Sequence, residues 1–120
     1  MWEVEFTDQF EEWWDELTAE QQGAVRARVN LLRRDGPELG RPSVDRVVTS
    51  RHSNMKELRT SEGGALRVLF AFDPLRHAIL LLGGNKTGRW NEWYRVAVPL
   101  ADDRYDEHLA TIRREGATDA

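Results

Sequence analysis

Residues 55–90 read MKELRTSEGGALRVLFAFDPLRHAILLLGGNKTGRW, three apolar runs divided by two strong turn signals. In the middle run Leu66, Val68, Phe70 and Phe72 alternate with Arg67, Leu69 and Ala71, the period of a strand whose two faces differ. Residues 77–82 are apolar in both phases, through Ala78, Ile79, Leu80, Leu81 and Leu82, as in a central strand covered on both sides. Between these runs Asp73-Pro74-Leu75-Arg76 is a reverse turn, with proline fixing φ at the corner. A shorter strand over 55–59 joins through Ser61-Glu62-Gly63-Gly64. The reading is an antiparallel meander, and any function is expected on or beside it.

Outward from the meander, the N-terminal Trp2-Glu3-Val4-Glu5-Phe6 alternates as a half-buried strand. Thr7 or Asp8 then caps a helix, and Asp8 and Glu11 place negative charge at its positive end. Phe10, Trp13, Trp14 and Leu17 fall at i, i+3, i+4 and i+7; such a stripe is a core face before it is a ligand platform. Thr18-Ala19-Glu20-Gln21 has the capping-box pattern and opens a second helix. Its buried side is Val25, Val29 and Leu32, flanked by Ala24 and Leu31; Arg26, Arg28, Arg33 and Arg34 turn mainly to solvent, and Gly36-Pro37 ends it. The tight link between the two helices predicts a hairpin packed over the sheet.

Residues 37–54 show no long element and carry Gly40, Arg41, Pro42, Arg46, Arg51 and His52. A connection of this length is usually functional or holds short structure of its own; it is a rim around a binding surface or a long wrap, and the rim is preferred. After the meander, Gly83-Gly84-Asn85-Lys86-Thr87-Gly88 is expected to leave the central strand, its glycines permitting positive φ or the close approach of a ligand. Lys86 follows Gly83-Gly84 too closely for a P-loop. From about Ala101 to Glu115, Tyr105, Leu109 and Ile112 mark a helix that Asp102 and Asp103 begin, Arg113 and Arg114 end, and Gly116 stops. The fold class is thus α+β: an antiparallel sheet with an N-terminal helical hairpin and a C-terminal helix. Residues 1–116 form one domain in this reading, and 117–120 a frayed tail.

Composition narrows the function. With no cysteine there is no disulfide framework and no thiolate metal site. No basic stretch followed by an apolar run opens the chain, and the longest apolar run is far too short to span a bilayer, so a cytoplasmic protein is expected. The net charge of −4 is unevenly spread. Residues 1–36 hold four Lys or Arg against nine Asp or Glu, residues 37–95 ten against six, and residues 96–120 three against six. A basic centre between acidic ends suits an anionic partner, or is ordinary solvated surface. His52, His77 and His108 are widely spaced and form no metal-ligand pattern; His77 reads as a satisfied, partly buried side chain. Asp102-Asp103 reads as helix N-terminal charge, and Ser43, Ser50, Ser53 and Ser61 show no nucleophile elbow. The constellation that stands out is Arg59, Arg67 and Lys86. Arg59 and Arg67 share a sheet face if Leu58 points to the core, and Lys86 follows the strand that pairs with residues 66–72. Three cations converging on a concave face would bind a phosphate and stabilise the charge of a pentavalent transition state. Exposed Arg and Lys on a solvated sheet face is the competing reading.

With the order β-α-α-loop-β-β-β-α and this basic face, the chain resembles the RelE/ParE superfamily of toxin–antitoxin toxins, and its HigB-like branch in particular. The residues that carry the likeness are Gly40-Arg41-Pro42, Val44-Asp45-Arg46-Val47, Ser53-Asn54-Met55-Lys56-Glu57-Leu58-Arg59 and Leu66-Arg67-Val68-Leu69-Phe70-Ala71-Phe72-Asp73. It continues through Ala78-Ile79-Leu80-Leu81-Leu82 and Asn85-Lys86-Thr87 to Ala101-Asp102-Asp103-Arg104. The resemblance implies a small RelE-like fold and a ribosome-dependent mRNA endonuclease in which the RNA 2′-hydroxyl attacks the adjacent phosphate without metal or cofactor. It implies phosphate contact by Arg59 and Arg67, proton transfer or phosphate stabilisation by Lys86, and proton transfer or base stacking by Tyr94. Arg51, Lys56, Arg89 and Trp90 are expected along the RNA path. Many relatives carry two lysines where this chain has Asn85-Lys86. The implied partners are translated mRNA on the ribosome and a cognate antitoxin of helix-turn-helix type, with operator DNA reached only through that antitoxin and no membrane. A ParE-like inhibitor of DNA gyrase and a catalytically degenerate antitoxin-binding module are the alternatives, because one fold serves all three. Residues 90–94 are left open between RNA stacking, antitoxin contact and core closure.

Overall fold

The computed structural model describes residues 1–61, 65–85 and 90–119, with 117–119 described by backbone alone. Strand β1 (Glu3–Phe6) leads to helices α1 (Asp8–Asp15) and α2 (Ala19–Asp35), then a 3-10 turn (Gly36–Glu38). Strands β2 (Val44–Arg46), β3 (Met55–Thr60), β4 (Leu66–Phe72) and β5 (His77–Asn85) follow, and helix α3 (Trp90–Asp119) closes the chain. The sheet runs β1-β5-β4-β3-β2. Its last four strands are antiparallel neighbours, and β1 lies parallel to β5, Val4 beside Ala78.

The alternation in the sequence decides which layer each residue joins. Leu58, Leu66, Val68, Phe70, Ala78 and Leu80 face α1 and α2, where they pack with Phe10, Val25 and Leu32; Trp13 and Trp14 close that core from the side. Met55, Leu69, Ala71, Ile79 and Leu81 face the other way, onto Ala97, Val98, Ala101 and Tyr105 of α3. Three layers result, with the meander as the shared wall of two cores.

Local chemistry fixes the joints. Thr7 caps α1 through its side chain, which accepts from the Phe10 N–H, and Thr18 and Gln21 complete the capping box that starts α2. Asp73 Oδ1 accepts from the N–H groups of Leu75 and His77, so the turn is held by its own first side chain, and Arg76 takes a positive φ of 65°. Gly36 ends α2 at φ 58° because the Trp2 ring lies where a Cβ would stand.

Three sequence expectations are revised, and one that the sequence left open is settled. Residues 37–54 contain β2, which pairs Val44 with Leu58 and Arg46 with Lys56; three residues are too few to show a period. Gly83 and Gly84 belong to β5, which runs on to Asn85. They make room for the Trp13 ring on one face and the Trp93 ring on the other, so they serve packing here. Helix α3 begins at Trp90, carries Pro99 inside it and passes Gly116. Asp102 and Asp103 therefore lie mid-helix, where Asp102 accepts from the Ser50 hydroxyl at 2.5 Å and the Arg51 N–H at 3.1 Å and so ties the β2–β3 loop to α3. Residues 62–64, 86–89 and 120 lie outside the described residues, and with them the expected Ser61-Glu62-Gly63-Gly64 connection, Lys86 and Arg89.

Candidate functional site

Strand pairing sets Arg59 directly opposite Arg67, at the ends of β3 and β4 that adjoin Asn85. Two guanidinium groups side by side repel, and such a pair needs a counter-charge. Glu57 supplies it. Two residues before Arg59 on β3, it shares that face, and its side chain is only 8% exposed. One carboxylate oxygen lies 3.4 Å from Arg59 Nε and 3.9 Å from Arg67 Nε. The other accepts from the Tyr94 hydroxyl at 2.5 Å. Tyr94 reaches it because α3 crosses this face, with Trp93 seated against Gly84, the residue that pairs with Arg67.

Burial raises the Tyr94 phenol above its ordinary pKa, and the Glu57 carboxylate adds to the effect against an opposing pull from Arg67. Tyr94 is therefore a neutral donor at physiological pH. Arg67 is the more enclosed of the two arginines, 14% exposed against 37% for Arg59. Its guanidinium carbon lies 5.0 Å above the Trp90 ring, and Nη1 donates to the Leu66 carbonyl at 3.2 Å. Its Nε–H is buried with no hydrogen-bond partner among the described residues. A buried charged donor without an acceptor is costly, of order 1–3 kcal/mol.

Beside Glu57 and Tyr94 opens a cleft of about 580 Å³, walled by Arg46 and Val47 from β2 and its exit and by Asn91, Arg95 and Val98 from α3. A carboxylate thus lies at the wall of a cleft, two guanidinium groups flank it, and the Trp90 ring lies against Arg67. Such a set can hold a phosphate and accept a proton beside it.

The sequence-named residues fall into four groups. Arg59, Arg67, Tyr94 and Trp90 come together on the α3 face. Lys56 alternates to the opposite face, paired with Phe70 of the first core. Arg51 stands before the far end of β3, ion-paired with Asp102, Asp103 and Asp106. Lys86 and Arg89 are outside the described residues, Lys86 being next in sequence to Asn85, which pairs with Leu66. Glu57 was missed, as were Arg46 and Arg95 on the cleft wall. The signal for Glu57 was present, since a strand that sends Leu58 to the core sends Glu57 and Arg59 together to the other side.

The histidines behave as structural groups. His77 Nδ1 and His108 Nε2 both meet Asp73 Oδ2, at 3.1 and 2.8 Å, which pins the β4–β5 turn to α3. His52 Nε2 meets Asp106 at 2.7 Å. Among the described residues no cluster of three or more His, Asp or Glu is arranged to hold a metal ion, and no helix is long and apolar enough to cross a membrane.

Residues 12–106 match the model of the phage-derived Gp49-like protein family. Over 103 residues the chain is 48% identical to HigB3, named as a toxin, of Mycobacterium tuberculosis, an alignment that covers 86% of this chain and 90% of that one. Over 100 residues it is 49% identical to HigB2, a second protein named as a toxin in that organism, covering 82% of this chain and half of that longer one. Among solved structures, the isolated E. coli RelE toxin aligns over 79% of this chain and 97% of its own, with a TM-score of 0.47 and 10% identity. A chain of the intact E. coli RelBE toxin–antitoxin complex aligns over 72% and 98%, with a TM-score of 0.45 and 13% identity.

Proposed function

The chain belongs to the Gp49-like family, in the HigB-like branch of the RelE/ParE toxins, and from that premise we propose that it is a metal-independent endoribonuclease that cuts translated mRNA on the ribosome. The observation that carries the reading is Glu57, an almost fully buried carboxylate held between Arg59, Arg67 and Tyr94 at the wall of an open cleft.

In the proposed reaction the scissile phosphate sits against Arg59 and Arg67. The 2′-hydroxyl of the nucleotide on the 5′ side of the scissile phosphate attacks phosphorus, and its proton passes to the Glu57 carboxylate. The two guanidinium groups carry the extra charge of the pentavalent state. The bond to the 5′-oxygen of the next nucleotide breaks, leaving a 2′,3′-cyclic phosphate and a 5′-hydroxyl. A phenol held above its ordinary pKa is a poor acid at neutral pH, so Tyr94 acts by fixing Glu57 in place. The proton for the departing oxygen is assigned to Lys86, next to Asn85 in the sequence, and Trp90 and Arg89 are assigned to the bases and backbone of the RNA.

The proposal extends to partners. A cognate antitoxin, of helix-turn-helix type and made from a neighbouring gene, would silence the toxin in the cytoplasm and alone touch operator DNA. Inducible expression in a bacterial host, with and without the neighbouring gene, tests this. New 5′ ends within translated messages, abolished by the neighbour, are expected. Arrest with induced DNA damage and intact messages would instead mark a gyrase inhibitor, and no arrest from folded protein a degenerate binding module.

A further inference from the structure

Arg59 and Arg67 wall a second concavity, of about 540 Å³, which they share with Arg28, Arg41, Pro42 and Ser61. Its four guanidinium groups come from α2, from the loop before β2 and from the facing ends of β3 and β4. The backbone brings them together. Arg28 Nε donates to the Arg59 carbonyl at 3.2 Å, the Arg59 N–H donates to the Ser43 carbonyl at 2.7 Å, and the Val44 N–H donates to the Gly40 carbonyl at 3.0 Å. The end of β3 is thereby stitched to α2 on one side and to the Arg41 loop on the other.

Asp45 reaches two of these arginines, accepting from Arg41 Nη2 at 3.0 Å and lying 3.6 Å from Arg59 Nη1. A guanidinium has five donors, so one carboxylate oxygen leaves most of those on Arg41 and Arg59 unused by it. No acidic residue is among the described walls of the concavity. Four guanidinium groups lining one hollow favour an anion there, and the arginine fork suits phosphate oxygens. Because Glu57 lines the first cleft and lies 3.4 and 3.9 Å from Arg59 and Arg67, which wall this hollow, a strand whose reacting phosphate lies at Glu57 runs its neighbouring phosphate into this one.

We infer that the arginine pocket is the subsite for the phosphate next to the scissile one on a single-stranded RNA, with Arg41 and Arg28 as added binding residues. The inference rests on the proposed nuclease reading for the direction of the strand, and its test is a binding measurement that needs no turnover.

A fluorescently labelled, fully 2′-O-methylated RNA oligonucleotide keeps its phosphates and cannot be cut by 2′-hydroxyl attack. Its anisotropy titration with the purified chain, repeated across a salt series, is compared between the parent, Arg41→Ala and Arg41→Lys. Arg41 is 77% exposed, so both variants should melt as the parent does. Arg41→Ala should weaken binding about tenfold at low salt and flatten the slope of log affinity against log salt by about 0.7. Arg41→Lys should restore the slope and part of the affinity. Parental affinity and slope in Arg41→Ala would overturn the inference, and so would failure of the parent to bind the RNA at low salt. So too would intact RNA binding in Arg41→Ala with loss of capture by the neighbouring gene's product, which would assign the pocket to acidic groups of a protein partner. Arg41-dependent binding of RNA by a chain that cuts no message would uphold the pocket and sink the nuclease.

Discussion

Replacing Glu57 by glutamine keeps the side chain's volume and its ability to accept from Tyr94, and removes its charge. The geometry then predicts three effects of different sign. Loss of the proton acceptor should slow cleavage by about 10²–10⁴-fold, which is about 3–5 kcal/mol of barrier. Folding should suffer less. Arg59 and Arg67 face one another in register, and the carboxylate between them is their shared counter-charge at 3.4 and 3.9 Å. Its removal leaves the largely buried Arg67 less well compensated, at a cost of about 1–3 kcal/mol, or roughly 4–12 °C in Tm for a chain of this size. RNA binding should hold or tighten, because an anion that competes with phosphate for both arginines is gone. Cleavage of a translated message on purified ribosomes, anisotropy with uncleavable RNA and a thermal melt read the three effects separately. Cleavage within about threefold of the parent would refute the assignment of Glu57. Loss of cleavage together with loss of RNA binding in a folded variant would show that Glu57 only supports the arginines.

Gly84→Ala places a Cβ about 2.4–2.5 Å from ring atoms of Trp93. The ring must move, so stability should fall by about 1–3 kcal/mol and activity with it, read by melting and tryptophan fluorescence. Asp73 tests the turn. Burial opposes its charge, but hydrogen bonds from His108, from the backbone and ring of His77 and from the Leu75 N–H outweigh that and hold the carboxyl below its ordinary pKa. A lowered folded pKa contributes stability that is present above the unfolded value and lost as pH falls through the folded one. The parent should therefore lose Tm below about pH 4 more steeply than Asp73→Asn, whose Tm is lower at pH 7; equal slopes would remove Asp73 as a cause. Thr18→Ala breaks the capping box and should cost about 1 kcal/mol, seen as a drop of a few degrees in Tm with parental cleavage by the variant.

What the sequence disclosed follows from how locally each feature is encoded. The meander was legible because alternation and an Asp-Pro turn are properties of adjacent residues, and Thr18 and Gln21 announce α2 by their own hydrogen bonds. The meeting of Arg59 and Arg67 was legible too, since two strands joined by a short link must set their facing ends side by side. The placement of β1 beside β5 was not, because strand order is decided by which core the intervening hairpin covers. Helix α3 begins eleven residues before its expected start, as Pro99 marks a boundary in most helices and the glycines before Trp90 carry no helical period. Gly83 and Gly84 suggested a ligand loop, and only the fold shows Trp13 and Trp93 taking up the space. Within the site, the cations were visible as a group, whereas Glu57 read as one more charge in Lys56-Glu57-Leu58-Arg59 until the faces were assigned.

The chemistry of the ends produced from a message cut on translating ribosomes tests the central claim most directly. Attack by the 2′-hydroxyl with Glu57 as base predicts a 5′-hydroxyl on the downstream fragment and a 2′,3′-cyclic phosphate, or the 3′-phosphate it hydrolyses to, on the upstream one. A 5′-phosphate with a 3′-hydroxyl would mean that water or another nucleophile attacks, and the roles given to Glu57, Arg59 and Arg67 would be wrong.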